Sequence, residues 1–204
     1  MPIFFQQQIN ETTRLGVWKI EETEEFFKGN VPQHRDVTHP HKRLQHLAGR
    51  FLLQFLYPDF PYDLIQIADT RKPFLAGEQY HFSISHCGDY AAAIVSSTRR
   101  VGVDIEIPTE KILRVRDKFL SEPELSNPAL IQDITDRQRL TLLWSCKEAV
   151  FKWYGEGGVD FREHIHLGKV DASNQVIPVY FEKDKKELEA NWRQLEGVVL
   201  VWVC

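Results

Sequence analysis

Four side chains in two short segments have the types and spacing to bind a divalent cation and a phosphate. Asp104 and Glu106 lie two residues apart in Gly102-Val-Asp-Ile-Glu106, a segment that predicts a strand. Residues two apart on a strand share a face, so both carboxylates point the same way. Glu148 and Lys152 lie four residues apart in a segment that predicts a helix, so they also share a face.

If the strand packs under the helix, three carboxylates and one ammonium group converge. Two carboxylates about 4 Å apart repel each other by roughly 4 kcal/mol at an effective dielectric constant near 20. Such a cluster needs a hard cation, or some of its members must stay protonated. The simplest solution is Mg²⁺ held by carboxylate oxygens, with water and a substrate phosphate in the remaining positions. Lys152 would face the same phosphate.

The same residues also have ordinary structural interpretations. Asp104 and Glu106 fit the exposed face of a strand whose alternate residues are apolar. Glu148 and Lys152 fit an exposed helix pair worth a few tenths of a kcal/mol. Each segment alone leaves both interpretations open.

Composition narrows the class of protein. The chain has 204 residues, of which 43% are hydrophobic and 26% charged, typical of a globular protein with one large or two small domains. A net charge of −4 argues against general nucleic-acid binding. Three cysteines without framework spacing favour a reducing, cytoplasmic compartment. We expect no signal peptide and no membrane span, because no apolar run approaches about 20 residues.

The predicted elements are mixed in order, without regular alternation of strand and helix. This order predicts an α+β fold with antiparallel sheets. A strand–helix–strand–strand pattern occurs before residue 100 and again after it. We therefore expect a pseudo-duplicated, two-lobed fold, each lobe an antiparallel sheet packed with a long helix, with lobes at 1–100 and 101–204. Helices are predicted at 41–57, 111–119 and 136–154, the last capped by Asp136 and closed by Gly155. Strands are predicted at 15–20, 64–68, 80–85, 90–96, 101–107, 164–170, 176–182, 189–195 and 198–203, with an irregular segment at 121–134.

Several motifs resemble those of one enzyme family. The segments Gly102-Val-Asp-Ile-Glu106 and Trp144-Ser-Cys-Lys-Glu-Ala-Val-Phe-Lys152 are similar to the two signatures of 4′-phosphopantetheinyl transferases. Ser83-Ile-Ser85-His86 resembles a third motif, and Ala48-Gly-Arg50 and Lys72-Pro73 match more weakly. All five occur in family order between residues 48 and 152. The length suits the Sfp-type members, which are two-lobed monomers.

The resemblance implies an activity. These enzymes move the phosphopantetheine arm of coenzyme A onto a serine of an apo acyl or peptidyl carrier protein and release adenosine 3′,5′-bisphosphate. Asp104, Glu106 and Glu148 would hold Mg²⁺ against the coenzyme A diphosphate. Glu148 would also take the proton of the attacking serine, and Lys152 would stabilise the charge of the diphosphate.

The resemblance also implies a coenzyme A site between the lobes. His86 and Arg50 would lie near the 3′-phosphate, with Ser85 beside them. The backbone around Lys72 and Pro73 would flank the adenine. Further contacts to the 3′-phosphate have three basic candidates, Arg35, Lys42 and Arg43. Glu156 departs from the family pattern, because many relatives carry Lys there.

Two other functions stay open at this level. One is a different carboxylate-metal enzyme that cleaves a phosphodiester without a protein acceptor. The other is a non-catalytic relative that binds coenzyme A or a carrier protein. The pairs His39-x-His41 and His164-x-His166 lack the additional ligands of a zinc site. The expected partners are coenzyme A and an apo carrier protein, with no nucleic acid and no membrane.

Overall fold

A computed structural model describes residues 3–31, 37–130 and 136–204, which form an α+β fold with antiparallel sheets. This confirms the predicted fold class. The first part of the chain contains β1 (Ile3–Asn10), β2 (Thr13–Lys19), α1 (Glu24–Lys28), α2 (Pro40–Leu56), β3 (Ile65–Ile67), β4 (Pro73–Leu75), β5 (His81–Cys87) and β6 (Tyr90–Ser96). The second part contains β7 (Gly102–Glu106), α3 (Lys111–Phe119), α4 (Glu122–Leu125), α5 (Arg137–Tyr154), α6 (Phe161–His164), β8 (Ile165–Leu167), β9 (Val176–Phe181), β10 (Lys186–Leu195) and β11 (Val198–Val203).

The strands form two larger sheets and one small hairpin. The first sheet has the order β1-β2-β6-β5 and the second has the order β7-β11-β10-β9-β8. All the pairings in both sheets are antiparallel. Strands β3 and β4 pair only with each other. The long helix α2 packs on the first sheet and the long helix α5 packs on the second.

Alternation along the strands divides the core into three apolar clusters. On β2, Val17 belongs to the cluster between the two sheets, whereas Trp18 packs in the cluster beneath α2. On β7, Val103 and Ile105 belong to the cluster between the sheets. Since successive strand residues point to opposite faces, Asp104 is directed toward α5. It is only 2% exposed, which excludes the interpretation of this residue as an ordinary surface carboxylate.

Helix α5 begins and ends as its sequence predicts. The backbone N–H of Arg139 donates to Asp136 Oδ1 over 3.1 Å, so Asp136 is the N-cap. Gly155 follows the last turn with a φ of 77°, in the left-handed region that glycine enters without steric cost. These two signals fix the length of the helix that carries Glu148 and Lys152.

Some elements were missed or wrongly assigned by the sequence pattern. Strand β1 was missed because Phe-Phe-Gln-Gln-Gln does not alternate, and it lies at the edge of its sheet. The prediction that 121–134 is irregular is wrong for α4, which has a capping box between Ser121 and Glu124. Residues 131–134 lie outside the described residues. The short elements β4 and α6 span three and four residues, which is too little for a periodic signal.

A buried ion pair attaches α4 to α5. Lys147 Nζ is fully buried and donates to Glu124 Oε2 over 2.7 Å. It also donates to the backbone carbonyls of Phe161 and Ile165, each over 2.8 Å. Burial lowers the pKa of Lys147, and the pair with Glu124 opposes that shift. With all three ammonium protons bonded, Lys147 positions α5 and is not available to a substrate.

Strand β7 and helix α5 approach each other most closely at Gly102. A Cβ at this position would lie 2.0 Å from the carbonyl oxygen of Ala149 and 2.6 Å from the backbone nitrogen of Trp153. Both distances are shorter than the 3.0 Å that real Cβ contacts respect. Glycine at the start of β7 therefore allows the strand to bring its carboxylates to the helix.

We expect Gly102→Ala to lower the free energy of unfolding by about 3 kcal/mol, because rigid backbone atoms must move to accept the methyl group. Gly77→Ala is the matched control, since a Cβ there meets nothing within 4 Å. Urea unfolding of both variants measures the difference. Equal unfolding midpoints for Gly102→Ala and wild type would contradict this packing.

Candidate active site

Three side chains from three elements form one hydrogen-bonded network. Ser85 Oγ on β5 donates to Asp104 Oδ1 on β7 over 2.8 Å. Lys152 Nζ on α5 lies 2.6 Å from the same carboxylate oxygen and 2.9 Å from Ser85 Oγ. The structure thus brings together the strand, the helix and the Ser-His segment that the sequence singled out. Asp104 Oδ2 is buried and has no hydrogen-bond partner among the described residues.

The charge of Asp104 affects the pKa values of the two other acidic residues, Glu106 and Glu148. Burial raises the pKa of Glu106, and repulsion by Asp104 raises it further. Burial likewise raises the pKa of Glu148 to about 7, with Asp104 adding to the shift and Lys152 opposing it. Trp144 Nε1 lies 3.3 Å from Glu106 Oε1 and fixes that carboxylate. The acidic side chains therefore share one poorly solvated region, as their spacing predicts.

These residues fit a hard cation chemically, although they are not arranged around one. Within the described ranges, no group of three or more His, Cys, Asp or Glu side chains is arranged to hold a metal ion. Lys152 supplies the positive charge that faces Asp104. A divalent cation would give the unpartnered Asp104 Oδ2 a partner and would reduce the mutual repulsion of the carboxylates.

A cleft opens on the other side of β5. Ser85 and His86 are neighbours on a strand, so their side chains face opposite sides; Ser85 therefore contacts Asp104 and does not line the cleft beside Arg50 and His86. His86 lines a cleft of about 600 Å³ together with seven further residues: His46, Arg50, Ile65, Ile67, Arg71, Pro73 and Ile84. Burial lowers the pKa of His86, and the charge of Lys152 lowers it further. Strand β5 therefore connects the carboxylate network on one face to this cleft on the other.

Arg50 is a buried cation in this cleft. It is 2% exposed, and its Nε and Nη1 atoms are buried without a hydrogen-bond partner in the described part of the chain. Burial lowers the pKa of its guanidinium group. A buried, unpaired guanidinium is costly, and an anionic ligand would compensate that cost.

Lys72 and Pro73 differ in their relation to the Arg50 cleft. Pro73 lines the cleft that holds Arg50, but Lys72 does not. The ammonium of Lys72 donates instead to the backbone carbonyl of Lys152, at the C-terminal end of α5. Burial lowers the pKa of Lys72 to about 8. In this arrangement Lys72 joins the β3–β4 turn to the helix that carries Lys152.

The three basic candidates from the N-terminal part have different positions. Arg43 donates to both carboxylate oxygens of Glu24, over 2.7 and 2.8 Å, and so joins α2 to α1. Lys42 is exposed on α2. Arg35 lies outside the described residues. Glu156, which stands where many relatives carry Lys, forms an ion pair with Arg100 over 3.2 Å.

Two residues near the site were missed by sequence reasoning. Trp144 begins a matched motif but was assigned no role of its own, and its indole N–H donates to Glu106. Arg71 lines the cleft with Arg50, although only the following Lys72-Pro73 matched a motif. No periodic signal could have indicated Arg71, because it lies in a turn. In the sequence, only its position directly before the Lys72-Pro73 motif indicated that Arg71 could lie near the site.

Comparison with known proteins identifies the family. Residues 100–200 match the family model of the 4′-phosphopantetheinyl transferase superfamily. The chain is 30% identical over 178 residues to enterobactin synthase component D of Salmonella austin, covering 79% of this chain and 71% of that protein. The chain therefore belongs to the 4′-phosphopantetheinyl transferase superfamily.

Other alignments to curated relatives are shorter. The chain is 32% identical over 117 residues to enterobactin synthase component D of Escherichia coli strain K12, covering 54% of each protein. It is 31% identical over 132 residues to L-aminoadipate-semialdehyde dehydrogenase-phosphopantetheinyl transferase of Xenopus laevis, covering 54% of this chain and 43% of that protein. In these alignments the chain spans about half the length of the curated relatives it matches.

The raised pKa of Glu148 predicts a pH-dependent stability. Folding favours the neutral form of the Glu148 carboxyl. Its contribution to the free energy of unfolding is therefore fully present below its ordinary pKa of 4.5 and is lost as the pH rises through about 7. In metal-free buffer, wild type should lose stability between pH 5 and pH 8, and Glu148→Gln should lose roughly 1–3 kcal/mol less over the same range. Urea unfolding across this pH range measures the effect, with the exposed Glu189→Gln as the control for charge removal. Parallel curves for wild type and Glu148→Gln would contradict the burial of this carboxyl.

Proposed function

We propose that this protein transfers the 4′-phosphopantetheine arm of coenzyme A to a serine of an apo acyl or peptidyl carrier protein, releasing adenosine 3′,5′-bisphosphate. One observation carries the proposal. The Ser85–Asp104–Lys152 network and the cationic Arg50 cleft lie on opposite faces of one strand. Coenzyme A likewise has two anionic groups, a diphosphate and a ribose 3′-phosphate. Membership in the superfamily supports the same activity.

The cleft has suitable chemistry for the 3′-phosphoadenosine end. Arg50 and His86 supply polar groups for the phosphate. Ile67 and Pro73 are paired across the β3–β4 hairpin, so their side chains share a face. Both line the cleft and form an apolar wall for the adenine. We also assign two neighbouring residues to the coenzyme A site. Ser85 would lie beside the diphosphate, and Lys72 belongs to the turn that would flank the adenine.

We propose that Asp104, Glu106 and Glu148 hold Mg²⁺. Carboxylate oxygens are the ligands that this ion prefers, and Asp104 Oδ2 is buried without a partner among the described residues. When bound, Mg²⁺ supplies charge neutralisation and polarisation at the diphosphate. A bound cation would also offset the repulsion by Asp104 and Glu106 that adds to burial in raising the pKa of Glu148.

The chain's own side chains then perform the transfer. The serine oxygen of the carrier protein attacks the β-phosphorus of coenzyme A, and the bond from that phosphorus to the bridging oxygen breaks. Glu148 accepts the serine proton; its pKa, about 7 without a metal, would fall when a cation binds, so its carboxylate is ionised at neutral pH and can act as the base. Lys152 stabilises the negative charge on the departing adenosine 3′,5′-bisphosphate. Proton transfer to a positioned base contributes roughly 10² to 10⁴ in rate.

We further propose an Sfp-type architecture, a monomer with lobes at 1–100 and 101–204 acting in the cytoplasm. The separate sheets packed by α2 and by α5 support the two lobes. Cys87, Cys146 and Cys204 are free thiols, which is compatible with a reducing compartment. In the part of the chain that the structure describes, no helix is both long and apolar enough to cross a membrane.

The direct test incubates the protein with apo carrier proteins, coenzyme A and Mg²⁺, followed by mass spectrometry of each carrier. We expect the carrier to gain the phosphopantetheine arm. Asp104→Asn keeps the shape of the side chain but removes its charge, so transfer should fall by at least about 10²-fold. Asp184→Asn, on an exposed turn, is the control. Chelation with EDTA should stop transfer reversibly.

Other results would favour other functions. Cleavage of coenzyme A without modification of any carrier would indicate a phosphodiester-cleaving enzyme. Binding of coenzyme A without either reaction would indicate a non-catalytic relative. Wild-type transfer rates for Asp104→Asn in metal-free buffer would contradict the assigned role of Asp104.

A second prediction concerns Arg50. A hydrogen bond to a charged group is worth about 1.5–3 kcal/mol, so Arg50→Ala should weaken coenzyme A binding by roughly 10- to 150-fold. Dephospho-coenzyme A lacks the 3′-phosphate and should lose far less. Calorimetric titration with both ligands makes the comparison. Equal losses for the two ligands would show that Arg50 does not contact the 3′-phosphate.

A further inference from the structure

Arg71 has a backbone conformation that side chains other than glycine rarely adopt. Its φ is 66°, in the left-handed region. The turn is closed on both sides, because Arg71 N donates to Ala68 O over 2.8 Å and Ala68 N donates to Lys72 O over 2.9 Å. Glycine would fit this position without steric cost. The backbone conformation therefore does not explain why an arginine stands at this position.

Neighbouring cations are already engaged. Lys72 donates to the carbonyl of Lys152, and Arg100 pairs with Glu156. Arg71 is exposed at the cleft, and its side chain makes no hydrogen bond or ion pair with any described residue. Among the described residues, Arg71 is thus a cation without a partner at the opening of the cleft, and the buried guanidinium of Arg50, also unpaired among them, lies in the interior.

The charge of the cleft selects its ligand. The described residues that line it include Arg50, Arg71 and His86, but no Asp or Glu. Two guanidinium groups without a carboxylate suit a dianion such as a phosphomonoester. An uncharged hydroxyl would leave both groups unpaired. The cleft should therefore distinguish a ribose 3′-phosphate from a ribose 3′-hydroxyl.

We propose that Arg71 is a specificity-determining residue that contacts the phosphomonoester from the opening of the cleft, opposite Arg50. The identity of the ligand as a 3′-phosphorylated adenosine rests on the proposed function. The assignment of Arg71 rests on its position, its free guanidinium and the unpaired Arg50.

The test compares adenosine 3′,5′-bisphosphate with adenosine 5′-monophosphate by calorimetry, with no metal and no carrier protein. Wild type should prefer the bisphosphate. Arg71→Gly should weaken the bisphosphate by about tenfold and the monophosphate by less than twofold, because only one ligand carries the 3′-phosphate. Arg71→Lys should retain part of the preference, since it keeps the charge but not the two-pronged geometry.

A matched control separates binding from backbone strain. Lys185 is also a cation at a positive φ, 51°, in the exposed turn between β9 and β10. Lys185→Gly likewise removes one positive charge and frees the backbone, and it also removes an exposed ion pair with Glu182; it should bind both ligands as wild type does. Neither glycine variant should unfold at a lower temperature than wild type. Arg71→Asn tests the same loss of charge in a residue that tolerates this conformation.

The outcomes are distinct. Arg71 has no phosphate contact if Arg71→Gly and Arg71→Asn keep the wild-type preference for the bisphosphate, or if they weaken both ligands equally. Either result overturns the inference and leaves the proposed function intact. If wild type binds neither coenzyme A nor the bisphosphate, the proposed function fails and the inference fails with it.

Discussion

The site depends on negative charges that the fold keeps close together beneath a helix. Asp104 is almost fully buried, and its charge adds to the burial that raises the pKa of Glu106 and Glu148. Charge repulsion in a poorly solvated region must be compensated, or the fold would lose stability. Lys152 supplies the compensation in this structure through its 2.6 Å contact with Asp104. The glycine at 102 is necessary for this arrangement, because it allows the strand to reach the helix.

Strand β5 connects this charged network to the cleft. Its alternation directs Ser85 to Asp104 and His86 to the cavity that contains Arg50. One strand can therefore position two anionic parts of a single ligand, since both faces are fixed by the same backbone. Because Ser85 and His86 face opposite sides of the strand, they do not form a nucleophile–base pair.

Local patterns predicted the long elements and the acidic residues well. The span of α5 followed from its periodicity and caps, and the shared face of Asp104 and Glu106 followed from the strand period. Contacts between distant segments could not be predicted, because no local pattern encodes which elements pack together. The bond between Lys72 and the carbonyl of Lys152 is one such contact. The left-handed conformation of Arg71 is another feature without a signal, because arginine rarely adopts it.

If a cation relieves the repulsion among the buried carboxylates, its binding must lower the pKa of Glu148. Carbon-13 NMR titration of the labelled side-chain carboxyl, with Glu148→Gln used to assign its signal, reports this pKa with and without Mg²⁺. We expect a pKa of about 7 without metal and a clearly lower value with saturating Mg²⁺. An ordinary pKa near 4.5 without metal would show that the carboxyl is not buried beside other carboxylates, and no change on adding Mg²⁺ would show that no cation binds there.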